Sequence, residues 1–383
     1  MTVISAPALL IGTEFVGPAA VVVRNGTICE ILDDIPAEAS NHVQLTSGVL
    51  TAGMVDLQIN GGFGVDFADA SPEQWEAARC ALARTGVTSF VPTLITAALS
   101  DLSRQLDDVM REQRRDVPRG AQVLGAHLEG PFLSPVRAGA HDVSLIVDPT
   151  PASLDELLSQ NRHTAIRIMT LAPESPGALA AISRLRELGI TVAVGHSDAT
   201  ADQVSAAADA GASMITHLFN AQRGLHHREP GVVGAGLADT RFRLGLIADL
   251  HHVTGTVLKI AFDAAPQRIV LVTDAVAAMG LPPGTSMLGG RPVLVDAYQQ
   301  PPRRGDGVLA GSTLTMDQAV RNVVGLGVRR ETALVAATST PADVLERADL
   351  GRIAVGAPAD LVWWDESSAV GEVWLQGTPV SHR

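Results

Sequence analysis

The chain has 383 residues and a formal net charge of -13 at pH 7, with Lys259 the only lysine among its 28 basic residues. This balance excludes a broad cationic face for nucleic acid or for an anionic membrane and leaves small-molecule chemistry as the favoured class of function. Cys29 and Cys80 are the only cysteines and form no CxxC pair, so neither a disulfide framework nor a thiolate metal site is supported, which fits a reducing cytoplasm.

The first residues, "MTVISAPALLIG", carry no basic segment, since the first arginine is Arg24, and no apolar run approaches the roughly 20 residues of a membrane span. A soluble, cytoplasmic protein is expected. Residues 18–32, "GPAAVVVRNGTICEI", have the pattern of a β-hairpin turning at Asn25-Gly26. From residue 50 onward, short β-rich runs alternate with helix-like stretches: 53–59, 87–94, 122–129, 165–172, 190–196, 212–218, 243–249 and 268–274. "SPEQWEAARCALARTG" has a Ser71-Pro72 start and a Gly86 stop, and "ATADQVSAAADAG" closes at Gly211. Such alternation describes an α/β fold with a parallel sheet, and eight units predict a (β/α)8 TIM barrel; a doubly wound open sheet is the competing arrangement. Residues 299–307, "QQPPRRGDG", look like an exposed loop, and the tail returns to short strands in "GRIAVGAPADLVWWD" and "EVWLQGTPV". The expected organisation is a barrel over 51–343 and a small β-sandwich domain built from 1–50 and 344–383.

Barrel chemistry collects where strands meet the following loops, so strand ends carry the functional signal. Glu129 in "AHLEGPF", His196 in "VGHSD", His217 in "THLFNA" and Asp274 in "VTDA" stand at four of them. Any one alone is more often an ordinary hydrogen-bonded polar residue. Together, one Glu and two His make a metal set with an open position, and Asp274 beside it has the chemistry of a general base and acid, or else of a carboxylate orienting a ligand histidine. His127 shares the face of Glu129 and is expected to pack rather than ligate. His141 could polarise a substrate carbonyl or cap a turn. Arg228 and His252 could hold an anion, a surface ion pair being the alternative for Arg228, and residues 309–311 (Leu309, Ala310, Gly311) precede a helix starting near Thr315 whose N–H groups could meet a ligand. On the first strand, Gln58 and Asn60 lie two apart and face the same way.

With these residues in place, the chain resembles the amidohydrolase superfamily and, within it, the N-acetylglucosamine-6-phosphate deacetylases. The likeness rests on "GMVDLQINGGFGVDF", "HLEGPF", "GAHD", "VGHSDAT", "THLFNA", "REPG", "VTDA", "LAGSTLTM" and "GRIAVGAPADLV", in that order. It implies hydrolysis of the acetamide of N-acetyl-D-glucosamine 6-phosphate to glucosamine 6-phosphate and acetate by a cytoplasmic homodimer, in amino-sugar catabolism and cell-wall recycling. By matching motif, Glu129, His196 and His217 would bind one divalent metal, most readily Zn2+ with Fe2+, Mn2+ or Co2+ as alternatives. Asp274 would serve as base and then acid, and His141 would steady the oxyanion. Ala140, Asn220, Ala221, Arg228, His252 and the 309–311 loop would contact sugar and phosphate, with Arg228 reaching the neighbouring subunit's site. Many amidohydrolases carry a His-x-His pair on the first strand for a second metal; Gln58 and Asn60 stand there instead, and neutral amides are poor Zn2+ ligands. Leu250 departs from the family's usual Gly after "AD". A cyclic amidase or phosphotriesterase-like enzyme would need a bridging lysine, which Lys259 is badly placed to supply; a non-catalytic homologue is the remaining alternative.

Overall fold

The computed structural model describes residues 1–34 and 41–380; residues 35–40 and 381–383, which the sequence assigns to the small domain, lie outside the described residues. Eight strands form one parallel sheet: β1 (Met54–Ile59), β2 (Val87–Ile95), β3 (Ala126–Glu129), β4 (Ile166–Leu171), β5 (Thr191–Val194), β6 (Met214–Ile215), β7 (Arg243–Ile247) and β8 (Ile269–Val272). A two-residue piece, Gln122–Val123, precedes β3 against β2. Each strand pairs with the next in sequence order, from β1 beside β2 to β7 beside β8. They are aliphatic runs buried on both sides rather than alternating ones, as strands inside a ring of helices must be. Asp274 N donates to Gln58 O at 2.8 Å and Asn60 N to Ala275 O at 2.7 Å, so the end of β8 meets the end of β1 and the sheet closes into a barrel. The open-sheet alternative is excluded.

The helices start where the sequence placed them. Ser71 and Thr200 each accept from the backbone of the residue three positions on, and Gln74 and Gln203 return the bond, completing two capping boxes. Gly211 ends the second of these helices at φ +117°, a conformation that costs a residue with a Cβ.

Strands from the two ends of the chain make two sheets, one of four strands and one of six. Ile4, Val21, Ile28, Leu50, Leu361 and Trp374 fill the space between them. Asn25 and Gly26, at φ +50° and +78°, make the two-residue turn expected of the amino-terminal hairpin.

Two sequence expectations change. Strands 5, 6 and 8 end two residues short of His196, His217 and Asp274, which lie in the turns beyond, at φ +47°, +24° and +48°. Left-handed backbone at a non-glycine residue costs about 1–3 kcal/mol and concentrates at functional sites. A hairpin, β9 (Gly284–Leu288) and β10 (Arg291–Val295), also stands between β8 and the helix Met316–Gly325 with no sequence signal anticipating it. The 299–307 segment runs back along it. Its Pro301 and Pro302 are buried and Arg304 Nη1 donates to Ala140 O at 3.2 Å, so that segment is only partly an exposed loop.

Asp56, fully buried on β1, accepts from Thr273 Oγ1 at 2.6 Å, from Gln58 N at 3.2 Å and from Thr273 N at 3.3 Å. Burial pushes its carboxyl up from 3.8 to about 7, against the pull of those three donors. The folded chain therefore holds a proton that the unfolded chain releases, and stability falls as pH rises from about 4 to about 7. Asp56→Asn is expected to flatten that slope, worth on the order of a few kcal/mol. Denaturant unfolding across the window checks this, and a slope unchanged by the substitution would remove Asp56 as its source.

Candidate active site

Glu129 at the end of β3 and the histidines after β5 and β6 converge on one buried point. His196 Nε2 lies 3.2 Å and His217 Nε2 2.9 Å from Glu129 Oε1, and the two Nε2 atoms are 3.1 Å apart. Tetrahedral coordination with metal–nitrogen bonds of 2.0–2.1 Å places donors roughly 3.3 Å apart, close to this spacing. Burial disfavours charge on both Glu129 and His217. Hydrogen bonds from His196 and then His217 outweigh it at Glu129, leaving that carboxyl well below the usual carboxylate range, and the bond to Glu129 outweighs it at His217, leaving that ring above its ordinary value. The donor set fits a divalent cation.

The far sides of the rings separate the histidines by role. Arg137 O lies 2.9 Å from His196 Nδ1, so that nitrogen carries the proton and Nε2 turns a lone pair into the site. At His141 the pattern reverses. Thr96 N donates to Nδ1 at 3.3 Å and Thr96 Oγ1 stands at 2.8 Å, so Nδ1 accepts and the proton of the neutral ring sits on Nε2. Burial takes His141 down to about 3, keeping it neutral, and its Nε2 lies 4.0 Å from Glu129 Oε2. Glu129, His141 and His196 offer ligand atoms within 4.8 Å of one another. By tautomer, however, His141 is a hydrogen-bond donor into the site, whereas His196 offers it a lone pair. His217 Nδ1 is buried without a hydrogen-bond partner. His127 spends both nitrogens on packing, Nδ1 against Leu57 O at 3.2 Å and Nε2 against Thr170 Oγ1 at 2.7 Å. Thr170 in turn meets Thr216 Oγ1 at 2.6 Å beneath the cluster.

Asp274 Oδ1 accepts from Asn60 Nδ2 at 2.9 Å and from Gln58 Nε2 at 3.3 Å, and Gln58 Nε2 also lies 3.1 Å from Glu129 Oε1. The two amides therefore serve as donors to the site's carboxylates, and the nitrogen they present cannot ligate a metal. Burial, then the charge of Glu129, pushes Asp274 up from 3.8 to about 6. A carboxyl poised near neutrality can both accept and return a proton.

Two adjoining cavities share His217, Asp274 and Gly311. The outer, about 320 Å³, is lined also by Arg137, Asn220, Ala221, His252 and Leu309. The inner, about 40 Å³, contains Glu129, His141, His196 and Asn60 together with Ile95, Ala140 and Leu288. Gly311 is required at this junction. Its φ is +69°, and a Cβ there would come within 2.8 Å of Asp274 O. A larger cleft of about 550 Å³, between the barrel base and the small sheets, has Arg79, Arg114 and Arg119 but lacks such convergent acid-base groups.

Among the sequence candidates, His252 faces the outer cavity, held by Asp249 Oδ2 at 2.7 Å from its Nδ1, while the adjacent His251 is exposed. Leu250 adopts φ +67°, the conformation a glycine would take more cheaply. Ala310 is buried in the apolar cluster of Val276, Leu288, Val293 and Val295. Arg228 is exposed and lines neither cavity, although the loop that carries it also supplies Asn220 and Ala221 to the outer one. Lys259 pairs with Asp263 on the outer helix Gly255–Ala264, so no lysine bridges the site. Thr96, Ile95 and Leu288 were missed by strand-end reasoning. Ile95 ends strand β2 and Thr96 follows it, so both were legible had the test included uncharged residues; Leu288 arrives on the unanticipated hairpin.

A closed α/β barrel with a Glu-His-His donor set and an acidic residue after the eighth strand defines a metal-dependent hydrolase class. The model of the amidohydrolase family matches residues 49–380, and the chain belongs to that family. It is 41% identical to the N-acetylgalactosamine-6-phosphate deacetylase of Escherichia coli O157:H7, over 93% of each chain. It is 36% identical to the N-acetylglucosamine-6-phosphate deacetylase of Vibrio furnissii, over 97% of this chain and 93% of that one. The solved structure of a Mycobacterium smegmatis N-acetyl-D-glucosamine-6-phosphate deacetylase mutant in complex with N-acetyl-D-glucosamine-6-phosphate superposes with a TM-score of 0.92, at 36% identity and 99% coverage of both chains.

Proposed function

We propose that this chain deacetylates N-acetyl-D-glucosamine 6-phosphate, giving glucosamine 6-phosphate and acetate in the cytoplasm, within amino-sugar catabolism and cell-wall recycling. The observation that carries the reading is the buried convergence of Glu129, His196 and His217 beside an Asp274 raised to about 6. A galactosamine epimer as substrate is the second reading, favoured by the 41% identity to the Escherichia coli enzyme of that name.

Glu129, His196 and His217 would hold one divalent cation per subunit, Zn2+ being the best fit to one carboxylate and two imidazoles. Such a cation supplies Lewis acidity, polarising the acyl carbonyl and making water acidic enough to attack near neutral pH. The donor role of Gln58 and Asn60 supports a single ion, because neither amide turns its oxygen to the Asp274 and Glu129 carboxylates. Asp274 takes a proton from the attacking water as the carbon–oxygen bond forms. His141, with its proton on Nε2, donates to the carbonyl oxygen as that oxygen gains negative charge. Asp274 then gives the proton to the sugar nitrogen as the carbon–nitrogen bond breaks, so the amine leaves neutral and the acetic acid formed ionises to acetate by releasing the second proton of the water to solvent.

The sugar phosphate would occupy the outer cavity, against Asn220, Ala221, His252 and the 309–311 loop. Arg228 would complete the phosphate site of a second copy in a homodimer, a reading supported by its exposure and by its place outside the lining of its own cavities. The segments 1–50 and 344–383 would act as one small domain beside the 51–343 barrel. Acetate release from the two epimeric 6-phosphates by purified, metal-loaded protein tests the function, and no release from either overturns it. Arg228→Ala is expected to raise KM for the phosphorylated sugar by about 10–100-fold, the loss of one charge-assisted contact. Equal losses on unphosphorylated N-acetylglucosamine would count against a phosphate contact.

A further inference from the structure

The inner cavity is polar on the side of Glu129, His141, His196, His217 and Asp274 and apolar on the other, where Ile95, Ala140 and Leu288 stand. On the deacetylase reading, on which this inference rests, the sugar lies in the outer cavity and its nitrogen must reach Asp274 at the junction. The acyl group then points inward. Its oxygen turns to His141, and its carbon tail has only the apolar wall to meet.

That wall is tightly built. The inner cavity is only about 40 Å³, and the cation that Glu129, His196 and His217 would hold takes part of it, so little depth is left for an acyl tail. Leu288, at 6% exposure, ends β9 and packs with Val276, Val293, Val295 and Ala310, with Ile95 and Ala140 against them. The turn after it touches Ile95 directly: a Cβ on Gly289 would fall 2.6 Å from Ile95 Cδ1. Polar ties hold the hairpin against the barrel. Gly290 N donates to Asp66 Oδ2 at 3.2 Å and Arg291 pairs with Asp142 next to His141, while Arg304, on the segment bridged to the hairpin at Arg303 and Leu294, caps Ala140 O. The wall cannot recede without breaking these contacts.

We infer that Leu288, backed by Ile95 and Ala140, is the residue that limits the acyl group to acetyl or smaller, so that the hairpin Gly284–Val295 is an acyl-length filter rather than a cover alone. One methylene in a hydrophobic pocket is worth about 10–200-fold in kcat/KM, so the wild-type chain should prefer N-acetyl over N-propionyl glucosamine 6-phosphate by that factor. The test measures kcat/KM for the N-formyl, N-acetyl, N-propionyl and N-butyryl sugars. Leu288→Ala is expected to bring the acetyl-to-propionyl ratio close to one, with propionyl turnover rising in absolute terms. Leu288→Phe, which keeps the hairpin apolar, is expected to shift preference toward formyl by tenfold or more. A wild-type chain that cleaves butyryl as well as acetyl overturns the filter while leaving the deacetylase reading intact, and so does an unchanged formyl-to-acetyl ratio in Leu288→Phe. If Leu288→Ala loosens the hairpin and all acyl sugars slow together, the Leu288→Phe ratio decides. A wild-type chain that cleaves none of the sugars overturns the deacetylase reading and the filter with it.

Discussion

Asp274→Asn is expected to keep its metal and lose about 10²–10⁴-fold in kcat, the range general acid-base catalysis contributes. Asn is nearly isosteric, and Gln58 and Asn60 can rotate their amides to meet it, so the loss should come from proton transfer rather than from folding. The pH dependence separates the two. With its carboxyl raised to about 6, Asp274 is ionised and competent as a base above that pH and is protonated and idle below it. Activity of the wild-type chain should therefore rise with pH through about 6, and this acid limb should vanish from the residual activity of the variant. Unchanged kcat in Asp274→Asn would remove it from the role proposed here.

Glu129→Gln is expected to leave the purified protein with little or no bound metal and with activity below detection. Loss of a residue that only orients a ligand costs about 10–100-fold in metal affinity, and the sole anionic member of the set should cost more. The fold should survive. Breaking a buried charge pair is costly when it strands a charge, but His217 can release its proton once Glu129 is gone. Metal analysis and a melting curve on the same sample check both halves. Full metal occupancy in the variant would exclude Glu129 from the ligand set, and loss of the melting transition would mean that the carboxylate holds the barrel as well as the ion.

The barrel was legible because its information is local. Eight aliphatic runs such as "IRIMTL" and "RIVLV", separated by capped helices, carry their periodicity in a few adjacent residues, and closure follows when each run pairs with the next. Strand-end Glu129, His196, His217 and Asp274 were legible for the same reason, as polar residues at the ends of apolar runs. The turns that actually carry three of them were not, because left-handed backbone at His196, His217 and Asp274 goes against local preference and is held by the surrounding structure.

The sequence by itself determined the succession of eight strands, the identity of the converging donors, and the pair of amides on β1. Only the tertiary structure decided what those groups do. His141 and His196 are the same residue type, yet one turns a proton into the site and the other a lone pair. The difference is Thr96 N, 45 residues from His141, against Arg137 O, 59 residues from His196. Gln58 and Asn60 become donors to carboxylates rather than potential ligands because Asp274 arrives from 216 and 214 residues away. Leu288 reaches the reacting end of the pocket only because a hairpin folds back across strand β2. Tautomer, protonation and pocket depth depend on which distant atoms end up within about 3 Å, and no local pattern of side chains encodes that distance.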